Sequence, residues 1–237
     1  MTKIVGHTLV WNCAQFVAAS ILPIHKYVDE MWFFDGAYKD MKKYVKVPWS
    51  TDGTKEIVES LKLDCKKIWV PCKEFFETEK DKWVFAVSHL NDGEWKYDTH
   101  DDEIATMDIK AAFQRVRNEK HATIGFVPRL TFPRARELFS PIPEGVICPY
   151  EYKIEWQLRA LREHGGKAFE VAKFLKQDGI NYGGTISDIF DRQGTHWTKW
   201  PRIVLDEMFI WHLKWLREQE RNIHMLDYEH IDTSLAL

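Results

Sequence analysis

The chain has 237 residues, 45% apolar and 29% charged, with 33 basic against 36 acidic side chains and a formal charge of -3. This is ordinary for one folded α/β domain spanning residues 1–237, and it excludes a global electrostatic pull toward nucleic acid or anionic membrane, so any anionic ligand must be held locally. No apolar stretch reaches the roughly 20 residues of a membrane span, and the N-terminus runs straight into a strand pattern without a secretory layout, so a cytoplasmic location is the default expectation.

The first hundred residues alternate strand-like and helical patterns, as βαβ units building a mostly parallel sheet do. Residues 4–10 read as a strand and 13–25 as a helix, with Phe16, Val17, Ile21 and Ile24 at helical spacing. Residues 27–34 read as a second strand ending at Asp35-Gly36. A polar loop follows to residue 49, closed by Ser50-Thr51-Asp52-Gly53-Thr54, whose residue types suit turns and caps. Further helices are expected at 55–61, 80–90 and 109–118, and further strands at 67–70, 94–97 and 121–127. Residues 128–149 carry five prolines and read as a long surface loop. Residues 150–162 are ambiguous between strand and helix, while 167–177 and 203–221 read as helices.

Four cysteines, Cys13, Cys65, Cys72 and Cys148, form no C-x-x-C pair, so free thiols are expected. Eleven tryptophans are read chiefly as core residues, with Trp197 and its neighbours His196 and Trp200 as candidates to line a sugar groove.

In an open α/β sheet ligands bind beyond the carboxyl ends of the strands. The residues there are Asn12 after the first strand, Asp35 after the second, and Asp98-Thr99-His100-Asp101-Asp102-Glu103 after the Trp95 strand. Such loops suit a ribose, a base edge and a hard divalent cation, which takes carboxylate and phosphate oxygens. Taken alone, the acidic run also fits a solvated turn or the N-terminus of a following helix.

In their order these segments resemble the family 2-like glycosyltransferases of the GT-A fold. Leu9-Val10-Trp11-Asn12-Cys13 stands where those proteins have a strand followed by Asn-Glu. Val28-Asp29-Glu30 leading to Asp35-Gly36 matches their second strand, and Ser50 to Thr54 matches their Ser-Thr-Asp-Gly-Thr segment. Lys82, then Gly93-Glu94-Trp95 leading to His100-Asp101-Asp102-Glu103, matches a basic helix followed by Asp-x-Asp-Glu. The resemblance covers roughly residues 3–105. Cys13 replaces the usual glutamate, and His100 the first aspartate of the Asp-x-Asp motif, so Asp98 or Asp101 stands as an alternative for that position.

The resemblance implies a Rossmann-like, mostly parallel sheet flanked by helices. Residues 1–105 would form a nucleotide-sugar half, and 106–237 an acceptor half with C-terminal helices. It implies transfer of a sugar from a UDP-, GDP- or dTDP-sugar to a glycan or other hydroxyl-bearing acceptor, with Mn²⁺ or Mg²⁺. Asn12 and Asp35 would face the nucleotide, Lys82 and Arg129 the phosphates, and His100, Asp101 and Trp197 the substrate. Asp102, with Glu103 and His212, would hold the metal. Arg134 is a further phosphate candidate, and Asp206, Glu207, Glu151 and Glu155 are candidate bases for the acceptor hydroxyl. A nucleotidyltransferase would need a Gly-rich phosphate loop after the first strand, which Trp11-Asn12-Cys13-Ala14 does not supply. A degenerate, non-catalytic sugar-binding module of the same fold is the alternative that Cys13 and His100 favour.

Overall fold

The computed structural model describes residues 2–131, 155–177, 183–184 and 200–212. Its strands in chain order are β1 (Ile4–Val10), β2 (Glu30–Asp35), β3 (Lys66–Pro71), β4 (Trp95–His100), β5 (Glu103–Met107), β6 (Ile124–Thr131), β7 (Glu155–Arg162), β8 (Gly183–Gly184), β9 (Arg202–Val204) and β10 (Met208–His212). The helices among the described residues are α1 (Val17–Ile21), α2 (Thr54–Ser60), α3 (Glu79–Val87), α4 (Ile109–Asn118) and α5 (Lys167–Leu175).

One mixed sheet runs β3-β2-β1-β4-β7-β6-β10-β5, with β8 beside β7 and β9 beside β6. From β3 to β4 every pairing is parallel, and β7 and β5 run antiparallel to their neighbours. This is the Rossmann-like architecture that the resemblance implies, and its order reverses between β1 and β4, the switch point where α/β sheets open a ligand crevice.

The sheet curls. β4 and β5 are separated along the sheet by β7, β6 and β10, about 19 Å if laid flat at the usual strand spacing. Only Asp101 and Asp102 link them, so His100 and Glu103 lie within about 11 Å, three Cα steps. The strands must bend round to bring β5 back toward β4. A small cavity of about 10 Å³ inside the bend is lined by Tyr97 and Thr99 from β4, Glu103 and Ala105 from β5, and Ile210 from β10.

Two apolar layers hold this arrangement. On one face Val17 and Ile21 of α1 and Ile109, Phe113 and Val116 of α4 pack with Trp95, Tyr97 and Ile210. On the other, Trp83 and Val87 of α3 and Val171 and Leu175 of α5 pack with Phe126, Leu158 and Leu161. Thr78 caps α3 through Asp81 N, and Asp108 caps α4 through Ala111 N.

Three expectations change. The helix expected at 13–25 is regular only over Val17–Ile21, with turns such as Val17 N to Cys13 O and His25 N to Ile21 O on either side. The expected loop at 128–149 begins as strand, because β6 continues to Thr131. Pro128 fits there because β9 pairs with residues 124–126 and β10 with 129–131, leaving it in the gap between those ladders. Residues 203–212, read as the start of a helix, form the end of β9 and all of β10. Met208 and Ile210 are buried while Phe209 and Trp211 are half-buried, a period of two rather than 3.6. Residues 213–221, the rest of that expected helix, lie outside the described residues.

Candidate active site

The turn after β1 places Asn12 at the carboxyl edge with φ of 43°, a left-handed conformation that asparagine tolerates better than most residues. The segment 50–54 folds over it. Asn12 Oδ1 accepts from Thr51 N at 2.8 Å, and Asn12 N donates to Ser50 Oγ at 3.0 Å. Cys13 N donates to Thr54 Oγ1, and Ala14 N to Asp52 Oδ2. Asp35, at the end of β2, accepts from Ser50 N and Ser50 Oγ. Burial raises its pKa above the ordinary value, against the opposing Ser50 bonds and the Lys82 charge. The three motifs of the first half therefore form one knot, with Ser50 as the shared partner of Asn12 and Asp35.

Lys82 reaches the same edge from α3. Its ammonium donates to Val10 O at 2.9 Å and Gly36 O at 2.6 Å, bridging the ends of β1 and β2, and lies 5.6 Å from the Tyr38 ring centroid. The side chain is buried. Lys82 thus caps strand carbonyls at the edge where the sequence placed a phosphate contact.

On the other side of the switch point, the turn between β4 and β5 carries His100, Asp101, Asp102 and Glu103. Asp102 is buried, and its Oδ2 lies 3.2 Å from His212 Nε2 at the end of β10. The pairing comes from the ladder, since His212 stands opposite Glu103 in the β10–β5 register. Two of the residues expected to share a metal are thus brought together. An oxygen and an imidazole nitrogen fit Mn²⁺, whose remaining positions water and substrate phosphates commonly fill. Among the described residues no three His, Cys, Asp or Glu side chains form a metal-binding group.

Glu103 does not join that pair. Its carboxylate is gripped by Arg159, Nε to Oε2 at 3.0 Å and Nη2 to Oε1 at 2.5 Å, and by Arg129 Nη1 to Oε1 at 3.3 Å. Burial opposes ionisation, but the Arg159 charge outweighs it, with His100, His212 and Arg129 adding, and holds the group well below the usual carboxylate range. Glu103, expected at the metal, and Arg129, expected at the phosphates, instead meet each other and Arg159 in a buried ion-pair group inside the curl. Glu103 also opens a strand, so the acidic run does not head a helix.

A second buried polar group was not anticipated. Lys96 and Asp98, two apart on β4, form a 2.7 Å ion pair, and Asp98 Oδ2 accepts from Trp83 Nε1 at 2.7 Å. The Lys96 ammonium lies 4.0 Å from the Trp83 ring centroid, closing a triangle. His7 on β1 stands opposite Asp98, and its pKa is well below the ordinary value through burial and the Lys96 charge. Two charges at alternate positions of a central strand were the available signal. Asp98, an alternative for the Asp-x-Asp position, thus has its Oδ2 engaged by Lys96 and Trp83.

The remaining candidates lie elsewhere. Asp206 and Glu207 precede β10, at the opposite edge from His212, and both bond Arg115 of α4. A base at that edge is a strand length away from Asp102. Arg134, Glu151, His196 and Trp197 lie outside the described residues. Glu155 opens β7, and Trp200 packs against Phe174, 5.1 Å between centroids.

No protein-family model matches the sequence, and no curated protein does. Among solved structures the chain is similar to S. aureus TarS 1–349 at 15% identity and a TM-score of 0.41, covering 59% of this chain and 40% of that one. It is also similar to Mycobacterium tuberculosis glucosyl-3-phosphoglycerate synthase in complex with Mn²⁺, UDP and glucosyl-3-phosphoglycerate, at 13% identity and a TM-score of 0.41, covering 97% and 81%. A second complex of that synthase, with Mn²⁺, UDP and phosphoglyceric acid, gives 14% and 0.41, covering 95% and 78%. The chain spans less than half of the TarS fragment.

Proposed function

We propose that the chain is a glycosyltransferase that moves a sugar from a nucleotide-diphosphate donor to an acceptor hydroxyl with the help of Mn²⁺ or Mg²⁺. The observation that carries this reading is the contact of buried Asp102 with His212 at the carboxyl edge beside the β1/β4 switch point, with Asn12, Asp35 and Lys82 at the same edge. The knot around Ser50 would take the nucleoside, and Asp102 with His212 would hold the cation. When bound, the cation offsets the charge that develops on the departing diphosphate. His100 or Asp101 would accept the acceptor proton, since both flank Asp102, whereas Asp206 and Glu207 precede β10 at its other end and bond Arg115.

Thermal-shift measurements with UDP-, GDP- and dTDP-sugars, with and without Mn²⁺, test the reading. One donor should stabilise the wild type in a Mn²⁺-dependent way, and Asp102→Asn and His212→Ala should each remove that dependence while melting as cooperatively as the wild type. Stabilisation by no donor, or stabilisation indifferent to both substitutions, would overturn the assignment.

A second reading, a binding module without transfer, is favoured by the engagement of Asp35 and Asn12 within the Ser50–Thr54 knot. It expects donor binding with neither hydrolysis nor transfer.

A further inference from the structure

Residues 37–49 separate Asp35-Gly36 from Ser50-Thr51-Asp52-Gly53-Thr54 in the loop between β2 and α2. It carries Lys39, Lys42, Lys43 and Lys46 against Asp40, a local excess of three positive charges in a chain whose net charge is -3. The loop has a fixed inner side. Ala37 N donates to Pro48 O at 2.7 Å, Lys39 N to Phe76 O at 2.8 Å and Phe76 N to Ala37 O at 3.0 Å, while Met41 is buried with Trp11 and Ala37.

Its outer side is basic and aromatic. Tyr44 is 42% exposed and Trp49 46%, two of the few large apolar side chains that face water among the described residues. Lys42 and Lys43 hold their ammonium groups 5.1 Å and 4.7 Å from the Phe75 and Tyr44 ring centroids, so their stems lie along aromatic surface and their charges sit at its margin. Lys46 is exposed, and Lys39 pairs with Glu77.

We propose that residues 37–49 dock the protein on an anionic lipid bilayer, with Lys42, Lys43 and Lys46 at the phosphate level and Tyr44 and Trp49 in the headgroup layer. Indole and phenol rings settle where one end is apolar and the other wet, and lysines beside them are drawn to the negative surface. A soluble polyanion without bases, such as heparin, would use the lysines but gain little from the rings, whereas a single-stranded nucleic acid could stack on them and would not carry the protein down with vesicles. This surface lies at the same sheet edge as Asp35, so docking would bring the mouth of the candidate site to the membrane. The proposal stands whether or not the chain transfers sugar.

Co-sedimentation of the full chain with phosphatidylcholine vesicles, alone or doped with phosphatidylglycerol, tests it. The wild type should pellet with the doped vesicles only, and salt should release it. At about fivefold per lysine, K42Q/K43Q/K46Q should lower partitioning on the order of a hundredfold. Y44S/W49S should lower it several-fold with the salt dependence kept, and circular dichroism should show both variants folded. Failure of the wild type to pellet, or pelleting unchanged in the lysine variant, would overturn the proposal. So would partitioning indifferent to Y44S/W49S, which would mark a surface for soluble polyanions; heparin binding by the wild type would then persist in that variant.

Discussion

His212 Nε2 lies 3.2 Å from Asp102 Oδ2, joining the last described strand to the turn that follows β4. Both side chains are largely shielded from water, 13% and 1% exposed, so their interaction is screened little by salt. A double-mutant cycle with Asp102→Asn and His212→Gln should give a coupling energy of ~0.5–3 kcal/mol in urea unfolding. Additive effects would mean that the two groups do not interact in solution.

Breaking the pair inside the curl should cost more. Arg159→Met leaves the Glu103 carboxylate buried with Arg129 as its remaining arginine partner, and should destabilise by ~3–5 kcal/mol. Replacing both residues by apolar ones of similar volume should recover most of that loss. Chemical denaturation of the wild type and both variants measures it.

Acid should act through the same carboxylate. Glu103 titrates in the folded chain well below the ~4.3 of an unfolded glutamate. The stability it contributes is present above that value and is lost as pH falls toward the folded pKa. Glu103→Gln should therefore show a flatter decline of the urea midpoint below about pH 4 than the wild type. Parallel declines would contradict the shift.

Lys96 predicts the opposite end of the pH scale. Burial, partly offset by Asp98, brings it down to about 8, whereas an unfolded lysine titrates near 10.4. Between those values the folded chain binds fewer protons, so this group raises stability as pH climbs through the window. The increment is lost as pH falls through about 8. Comparing urea midpoints at about pH 8 and about pH 10 should show that rise in the wild type and not in Lys96→Met.

Gly36 marks why Asp35 is followed by glycine. A Cβ there would stand 2.7 Å from Cys72 Cβ and 2.9 Å from Phe76 Cε2. Gly36→Ala should push the 72–76 segment away and cost ~1–3 kcal/mol. A thermal melt indistinguishable from wild type would show that the segment yields freely.

The parts of the fold legible in the sequence are those set by local signals. β1 and α4 run over the expected residues because apolar spacing and an Asp108 cap suffice to bound them. The edge carrying Asn12, Asp35 and Asp102 was legible too, since a βαβ pattern fixes which ends of the strands face together. Glu103 was not, because what decides its role is Arg159 on β7 and Arg129 on β6, neighbours that only the curl supplies. The helical reading failed over 203–212 for a related reason. Trp, Leu and Ile recur often enough there to satisfy a helical spacing, and the alternation at Met208 to Trp211 gains its meaning only from β5 and β6 on either side.

The placement of β10 also sets an order of events during synthesis. β5 pairs with β10, and among the described strands with no other, so a nascent chain that has emerged only as far as β6 carries β5 without a ladder. Asp102 must likewise wait for His212. The parallel strands β1 to β4 are available for pairing earlier, but Asp102 meets His212 only after residue 212 has left the exit tunnel. A truncation before Met208 would therefore leave β5 without its described partner strand and Asp102 without His212.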